Sequence, residues 1–263
     1  MAAQYKHNHE GGMKISSSKF IVLLSIILPA LCSASTRCPA LFLDGKEPKL
    51  NTVLTTRTTE VCYTEYVLLA SGVTKGPLYS AEHLTKAEVS GAGTITRVGS
   101  WHTEQSIPYD DRSYTDDYTN SGYDRGHMTP AGDMSTESAE KETFSMANVV
   151  PQNPTLNRGI WEKIEDHARD LASQLGEIYI VTGPAFNNGT VATIGADSVY
   201  VPSYTWKAIY EPGVGAGAYL CQNNNQRACQ VVSVADIQNL TGIDPFPSLA
   251  QSVKTSAIQL PAP

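Results

Sequence analysis

Between Asn157 and Leu175 the apolar residues Ile160, Ile164, Leu171 and Leu175 recur at helical spacing, with Trp161, Ala168 and Ala172 beside them. Gly176 then supplies a stop. Glu177 to Thr182 follows as Glu-Ile-Tyr-Ile-Val-Thr, β-branched and aromatic enough for a buried strand. A helix that gives way to a strand in mid-chain excludes an all-α or an all-β fold. Strand-like segments stand on both sides: Val61 to Leu69 before it, Ser203 to Tyr210 and Gln230 to Ser233 after it. Ser233 is placed to cap a further helix over Val234 to Leu240, and the Pro-rich tail beyond Asp244 reads as surface. The polar stretch from Gly91 to Gly122 reads as a long surface loop, and such loops often carry function. The expectation is an α+β fold in one domain.

The first 35 residues read differently. Lys14 and Lys19 precede the apolar run Phe20 to Leu28, Pro29 breaks it, and small residues Ser33-Ala34-Ser35 follow. Basic, apolar, then small is the order of a secretory signal peptide, so residues 1–35 are expected to leave, with cleavage near 34/35. An uncleaved anchor is the alternative, but the run is short for a membrane span. Export predicts a secreted or periplasmic protein with no stable membrane association after cleavage. Cys38, Cys62, Cys221 and Cys229 would remain, an even number in an oxidising compartment. Pairing Cys38 with Cys62 and Cys221 with Cys229 closes two short loops; a zinc site is the rival, without a Cys-x-x-Cys pair to support it. The 263-residue chain carries a formal charge of -7. Taking Lys6, Lys14, Lys19 and Glu10 from its 19 basic and 26 acidic residues leaves 16 and 25, near -9. Such a chain is poorly suited to holding nucleic acid statically, which runs on phosphate neutralisation.

Two polar patches carry chemistry. In Asp124-Arg125-Gly126-His127, a histidine able to take a proton near neutral pH lies beside a permanently charged, forked guanidinium. Gly126 would let the backbone bend between them. A surface turn held by an Asp–Arg pair accounts equally well for this patch alone. The second runs from Asn148-Val149-Val150-Pro151-Gln152 into Asn157-Arg158-Gly159-Ile160-Trp161 and on to Glu165. In an α-helix Asn157 and Glu165 lie about two turns apart, roughly 80° around the axis and about 12 Å along it. They could face one site without being adjacent ligands of a bare ion. A hydrated Mg²⁺ fits, because magnesium keeps several waters.

Asp-Arg-Gly-His, then Asn-x-x-Pro-Gln, then Leu-Asn-x-Gly-x-Trp-x-x-x-Glu, in this order, resembles the DNA/RNA non-specific endonucleases of the ββα-metal type. Val181-Thr182-Gly183-Pro184 and Val201-Pro202-Ser203-Tyr204-Thr205-Trp206-Lys207 also look like family segments. The resemblance implies a ββα-metal core with a central antiparallel sheet flanked by helices, making residues 36–263 a single nuclease domain. It implies His127 as general base, Asn157 as the direct ligand of Mg²⁺ (Mn²⁺ a possible substitute), and Glu165 acting on metal-bound water. Arg125 and Asn148 would contact phosphate or support the site, Arg158 would bind substrate, Asp124 would orient its neighbours, and Gln152 would help shape the metal environment. DNA and RNA would both be substrates, since phosphates carry no base identity. One departure stands out: His83 occupies the place where an upstream arginine is expected, with Arg97 or Arg112 as the alternatives. A non-catalytic exported nucleic-acid-binding module and a phosphoesterase on small substrates are the rival readings.

Overall fold

The computed structural model of the chain describes residues 36–186 and 189–262. The expected leader, residues 1–35, lies outside them. Seven antiparallel strands form the central sheet, in the order β12 (Cys229–Val232), β11 (Gly215–Gln222), β10 (Tyr204–Glu211), β7 (Glu177–Ala185), β4 (Gly76–Thr85), β3 (Val67–Ser71) and β2 (Thr58–Cys62). Three two-stranded ladders stand apart from it: β5 (Asp124–His127) with β6 (Val149–Gln152), β1 (Lys49–Leu50) with β13 (Ile243–Asp244), and β8 (Thr193–Ile194) with β9 (Val199–Tyr200). The helices are α1 (Lys86–Ala92), α2 (Glu137–Thr143), α3 (Glu162–Leu175), α4 (Val234–Thr241) and α5 (Gln251–Lys254). Among the described residues no helix is long and apolar enough to cross a membrane.

Strand alternation divides the sheet into two unlike faces. One face carries Tyr79, Ala81, Val181, Trp206, Ala208 and Ala218, packed with Phe42, Ile237 of α4 and Phe246. The other carries Leu84, Ile178, Ile180, Ile209 and Tyr219, covered by Trp161 and by Ile164, Ala168 and Ala172 of α3. On this second face the strands also bury Ser80, Glu82, Thr182, Thr205 and Lys207. The β5–β6 ladder is fixed there by polar contacts: Gln152 Nε2 donates to Thr205 Oγ1 at 3.3 Å, and the buried hydroxyls of Ser80 and Thr129 share a hydrogen bond.

Several expected elements shift. The apolar run Val61 to Leu69 is two strands, because the turn Tyr63–Tyr66 interrupts it; Tyr63 N donates to Tyr66 O at 2.9 Å and the two rings stack at 4.5 Å. With neither Gly nor Pro, that turn leaves no compositional mark. The Gly91–Gly122 stretch begins within α1, and it is not wholly surface: Ile107, Ser113, Asp117 and Tyr118 are buried. The tail beyond Asp244 also packs, burying Phe246 and Leu260 and pairing Lys254 with Asp244 at 2.6 Å. The strands β4 and β11 were not anticipated. Disulfides join Cys38 to Cys62 and Cys221 to Cys229. With Glu60, the first pair forms the single His/Cys/Asp/Glu cluster of metal-binding geometry among the described residues. Its sulfurs are tied up with each other and leave no thiolate for zinc.

Candidate active site

Strand β5, strand β6 and the helix after them make one ββα unit. Asp124 pairs with Gln152, Arg125 with Pro151, Gly126 with Val150 and His127 with Val149. Gly126 serves close approach rather than a bend, since a Cβ there would collide with the Gln152 side chain. Asn148 locks the exit of β5: its Oδ1 accepts from Thr129 N at 3.1 Å, and its Nδ2 donates to Thr129 O at 2.8 Å and Thr143 O at 3.0 Å.

The helix does not begin as an α-helix. Leu156–Trp161 is a wider π-type turn that runs directly into α3. One inserted residue makes the eight-residue step from Asn157 to Glu165 equivalent to seven in an α-helix, about 20° apart in azimuth instead of about 80°. The wide turn therefore swings Asn157 over Glu165. Both line one open cleft with Arg97, Trp101, Tyr123, Asp124, Arg125, His127, Arg158 and Glu162.

Each side chain there is held in place. Asn157 Nδ2 donates to Asp124 Oδ2 at 3.0 Å, which fixes the amide so that Oδ1 is the free end. Arg158 grips the same carboxylate, Nε to Oδ2 at 2.7 Å, with Nη2 on Oδ1. Burial works against ionisation of Asp124, but the hydrogen bonds from Arg158 and Asn157 hold it below the ordinary carboxylate range. Arg125 lies between Trp101 and Tyr118, 5.6 Å from each ring centroid, and donates to Thr115 O at 2.8 Å. His127 packs against Trp101 at 4.9 Å and edge-on against Phe144 at 5.3 Å. Its Nε2 is shut away from solvent and unpartnered, and the ring lines the cleft. Burial, then the charge of Arg97, push the His127 pKa down to about 3, so the ring stays neutral. Burial pushes Glu165 up to about 7, with Lys207 opposing and Asp133 adding to the rise.

Three expected site residues lie outside the cleft. Gln152 is fully buried behind Gly126, and Asn148 is fully buried in backbone contacts, so neither lines the cleft and both can act only by supporting it. His83 is on the wrong face of the sheet. It pairs in register with Tyr179, stacks on that ring at 4.2 Å and meets Glu177 at 2.7 Å, on the side away from α3. Its neighbour Glu82 is the residue that faces α3, because successive strand residues point to opposite faces. Arg112 is engaged by Gln105 and Ile107. Arg97 lies in the cleft, 4.8 Å over the Phe144 ring. Trp101, Tyr123 and Glu162 had no signal of their own in the sequence.

The sequence pattern of the DNA/RNA non-specific endonucleases matches residues 48–252. The mitochondrial nuclease EXOG of Xenopus laevis is 30% identical over 259 residues, 85% of this chain and 72% of that protein. Its Danio rerio counterpart is 32% identical over 208 residues, 71% of this chain and 60% of that protein. Mitochondrial endonuclease G of Homo sapiens is 31% identical over 160 residues, 57% of this chain and 54% of its own length. A chain in a solved EndoG/EndoGI complex superposes with a TM-score of 0.69 at 26% identity, covering 75% of this chain and 89% of that one. With most of its length matched and a ββα unit carrying the cleft, the chain belongs to the DNA/RNA non-specific endonuclease family.

Proposed function

We propose that this protein is an exported, metal-dependent endonuclease that hydrolyses phosphodiester bonds of DNA and RNA with little sequence preference. The observation that carries the reading is the convergence of His127, Asn157 and Glu165 on one cleft walled by Arg97 and Arg125. The donors suit a hard divalent ion. Asn157 offers a carbonyl oxygen with no hydrogen bond among the described residues, Glu165 and Glu162 offer carboxylates, and the cleft holds no all-protein cage. One direct ligand with waters completing the shell is how Mg²⁺ binds, and Mn²⁺ accepts the same donors. When bound, the ion supplies charge stabilisation to the phosphate and the leaving oxygen.

The chain's own groups do the rest. Neutral His127 takes a proton from water, generating the nucleophile. Asp124 holds the Asn157 amide with its oxygen toward the cleft. Ionised Glu165 orders water beside it. Arg97 and Arg125 are fixed over aromatic rings, so their charge is aimed at the phosphate before substrate arrives. Arg158 holds the Asp124 carboxylate in place at the rim. Hydrolysis leaving 5′ phosphates is expected. Two disulfides suit an oxidising compartment, in keeping with a secreted or periplasmic location.

The test is degradation of plasmid DNA and of RNA with Mg²⁺ and then with EDTA. Loss of both polymers in Mg²⁺ and protection by EDTA is the expected result. Intact polymers at micromolar protein would overturn the proposal.

A further inference from the structure

A polynucleotide presents more than one phosphate, and the cleft accounts for one. Beyond its rim, Cys221 and Cys229 face each other across β11 and β12, and their disulfide closes the loop between them. Asn223 ties that loop to the site. Its Oδ1 accepts from Asn153 N at 2.7 Å, and its Nδ2 donates to Pro151 O at 2.9 Å and Pro202 O at 2.8 Å. Pro151 belongs to β6, and Asn153 accepts from Asn157 N at 2.9 Å. The loop is thus anchored to the segment that delivers the metal-site helix.

From this loop Arg227, exposed and in the left-handed backbone region at φ 53°, reaches the π-type turn. Its guanidinium lies 3.6–3.7 Å from where a Cβ on Gly159 would stand. Arg227 thus lies over Gly159 at ordinary contact distance, and Arg158 is the residue next to Gly159 along the chain. The two arginines differ. Arg158 is neutralised by Asp124, whereas Arg227 has no carboxylate partner among the described residues. On an acidic protein, an uncompensated cation held by a cross-linked loop just beyond the rim of the cleft draws a polyanion there.

We propose that Arg227 is a second phosphate-binding point, engaging a strand phosphate beyond the one being cleaved. The inference rests on the nuclease reading for its substrate, but binding tests it separately from catalysis. The probe is a fluorescein-labelled single-stranded 20-mer, its anisotropy followed with EDTA present and salt raised from about 50 to about 200 mM. Arg227→Gln should weaken binding several-fold at low salt and flatten the plot of log Kd against log salt by about 0.7, the counterion released by one contact. Arg227→Lys should keep the wild-type slope. Arg37→Gln, removing an exposed charge paired with Glu60, is the control for net charge. An unchanged slope in Arg227→Gln, or an equal loss in Arg37→Gln, would overturn the proposal. Failure of the wild type to cut polymer in Mg²⁺ would instead overturn the nuclease reading, leaving the binding result to stand or fall by itself.

Discussion

The two faces of the central sheet are built from the same strands and do opposite things. On one, Tyr79, Ala81, Val181, Trp206 and Ala208 meet Phe42, Ile237 and Phe246 in an apolar layer. On the other, α3 lies over Ile178, Ile180 and Ile209, but Glu82, Thr182 and Lys207 are buried among them. Lys207 Nζ donates to Thr182 Oγ1 at 2.9 Å and sits 5.8 Å from the Trp161 ring. Arg169 of α3 pairs with fully buried Asp133 at 2.6 Å. Burial, with Asp133 adding and Lys207 opposing, holds Glu82 well above the ordinary carboxylate range. Burying such groups is costly unless they compensate one another. The apolar face therefore supplies stability through area alone, and the charged face supplies a support of fixed polarity behind Glu165. The cleft differs again. There Asn157, Glu162 and Glu165 line an open cleft, where a ligand can complete them.

Breaking the cleft should have the largest effect. His127→Ala is expected to lower kcat on plasmid DNA by about 10³-fold with an unchanged melting temperature. Equal rates for variant and wild type would remove His127 from the mechanism. Asn157→Ala should raise the Mg²⁺ concentration for half-maximal activity by about 100-fold, measured by metal titration. Breaking the charged layer should tell in stability instead. Lys207→Met removes the buried cation that opposes the raised pKa of Glu82 and leaves Thr182 Oγ1 without its donor, and should destabilise the fold by about 1–3 kcal/mol in urea denaturation. Adding Glu82→Gln should restore part of that loss, and strict additivity would mean that the two groups are uncoupled.

The pH profile sharpens the contrast between base and carboxylate. The base must be unprotonated, and His127 with a pKa near 3 remains so through the acidic range. In the proposed mechanism Glu165 must be ionised to order metal-bound water. Burial raises its pKa to about 7 in the metal-free protein and a bound divalent cation lowers it, so the acid limb of kcat/KM should move to lower pH as Mg²⁺ is raised. Activity should fall by about tenfold per pH unit below that limb, and Glu165→Gln should flatten the profile at a lower rate. The smallest effect belongs to the apolar face. His83→Ala should leave kcat/KM within about twofold and change stability by about 1 kcal/mol or less. A large loss of activity would mean that the face opposite α3 takes part in catalysis.

Much of this was legible in the chain. The helical spacing of Ile160, Ile164, Ala168, Leu171 and Ala172 identified a helix, and Ile164, Ala168 and Ala172 are its buried stripe. The ordered patches around His127 and Asn157 identified the ββα unit. The strands β4 and β11 escaped notice because Gly, Pro and Ala in them are not strand formers by themselves, and their burial is set by neighbours. The tail beyond Asp244 looked like surface because Pro and Ser conceal Phe246 and Leu260, which find partners only in the folded chain. His83 looked like a replacement for arginine because alignment reads position along the chain, while a strand assigns alternate residues to opposite faces.

The sequence by itself determined which residue types exist to do the chemistry, and the local periods that make strands of some segments and a helix of another. Those depend on side chains a few residues apart, and proximity along the chain is enough. Only the tertiary structure decided that Arg97 joins the cleft from a distant loop, that Gln152 and Asn148 back it from within, and that a wide turn brings Asn157 over Glu165. Those outcomes depend on contacts between segments far apart in sequence and on one residue's phase in a helix, which no local pattern records.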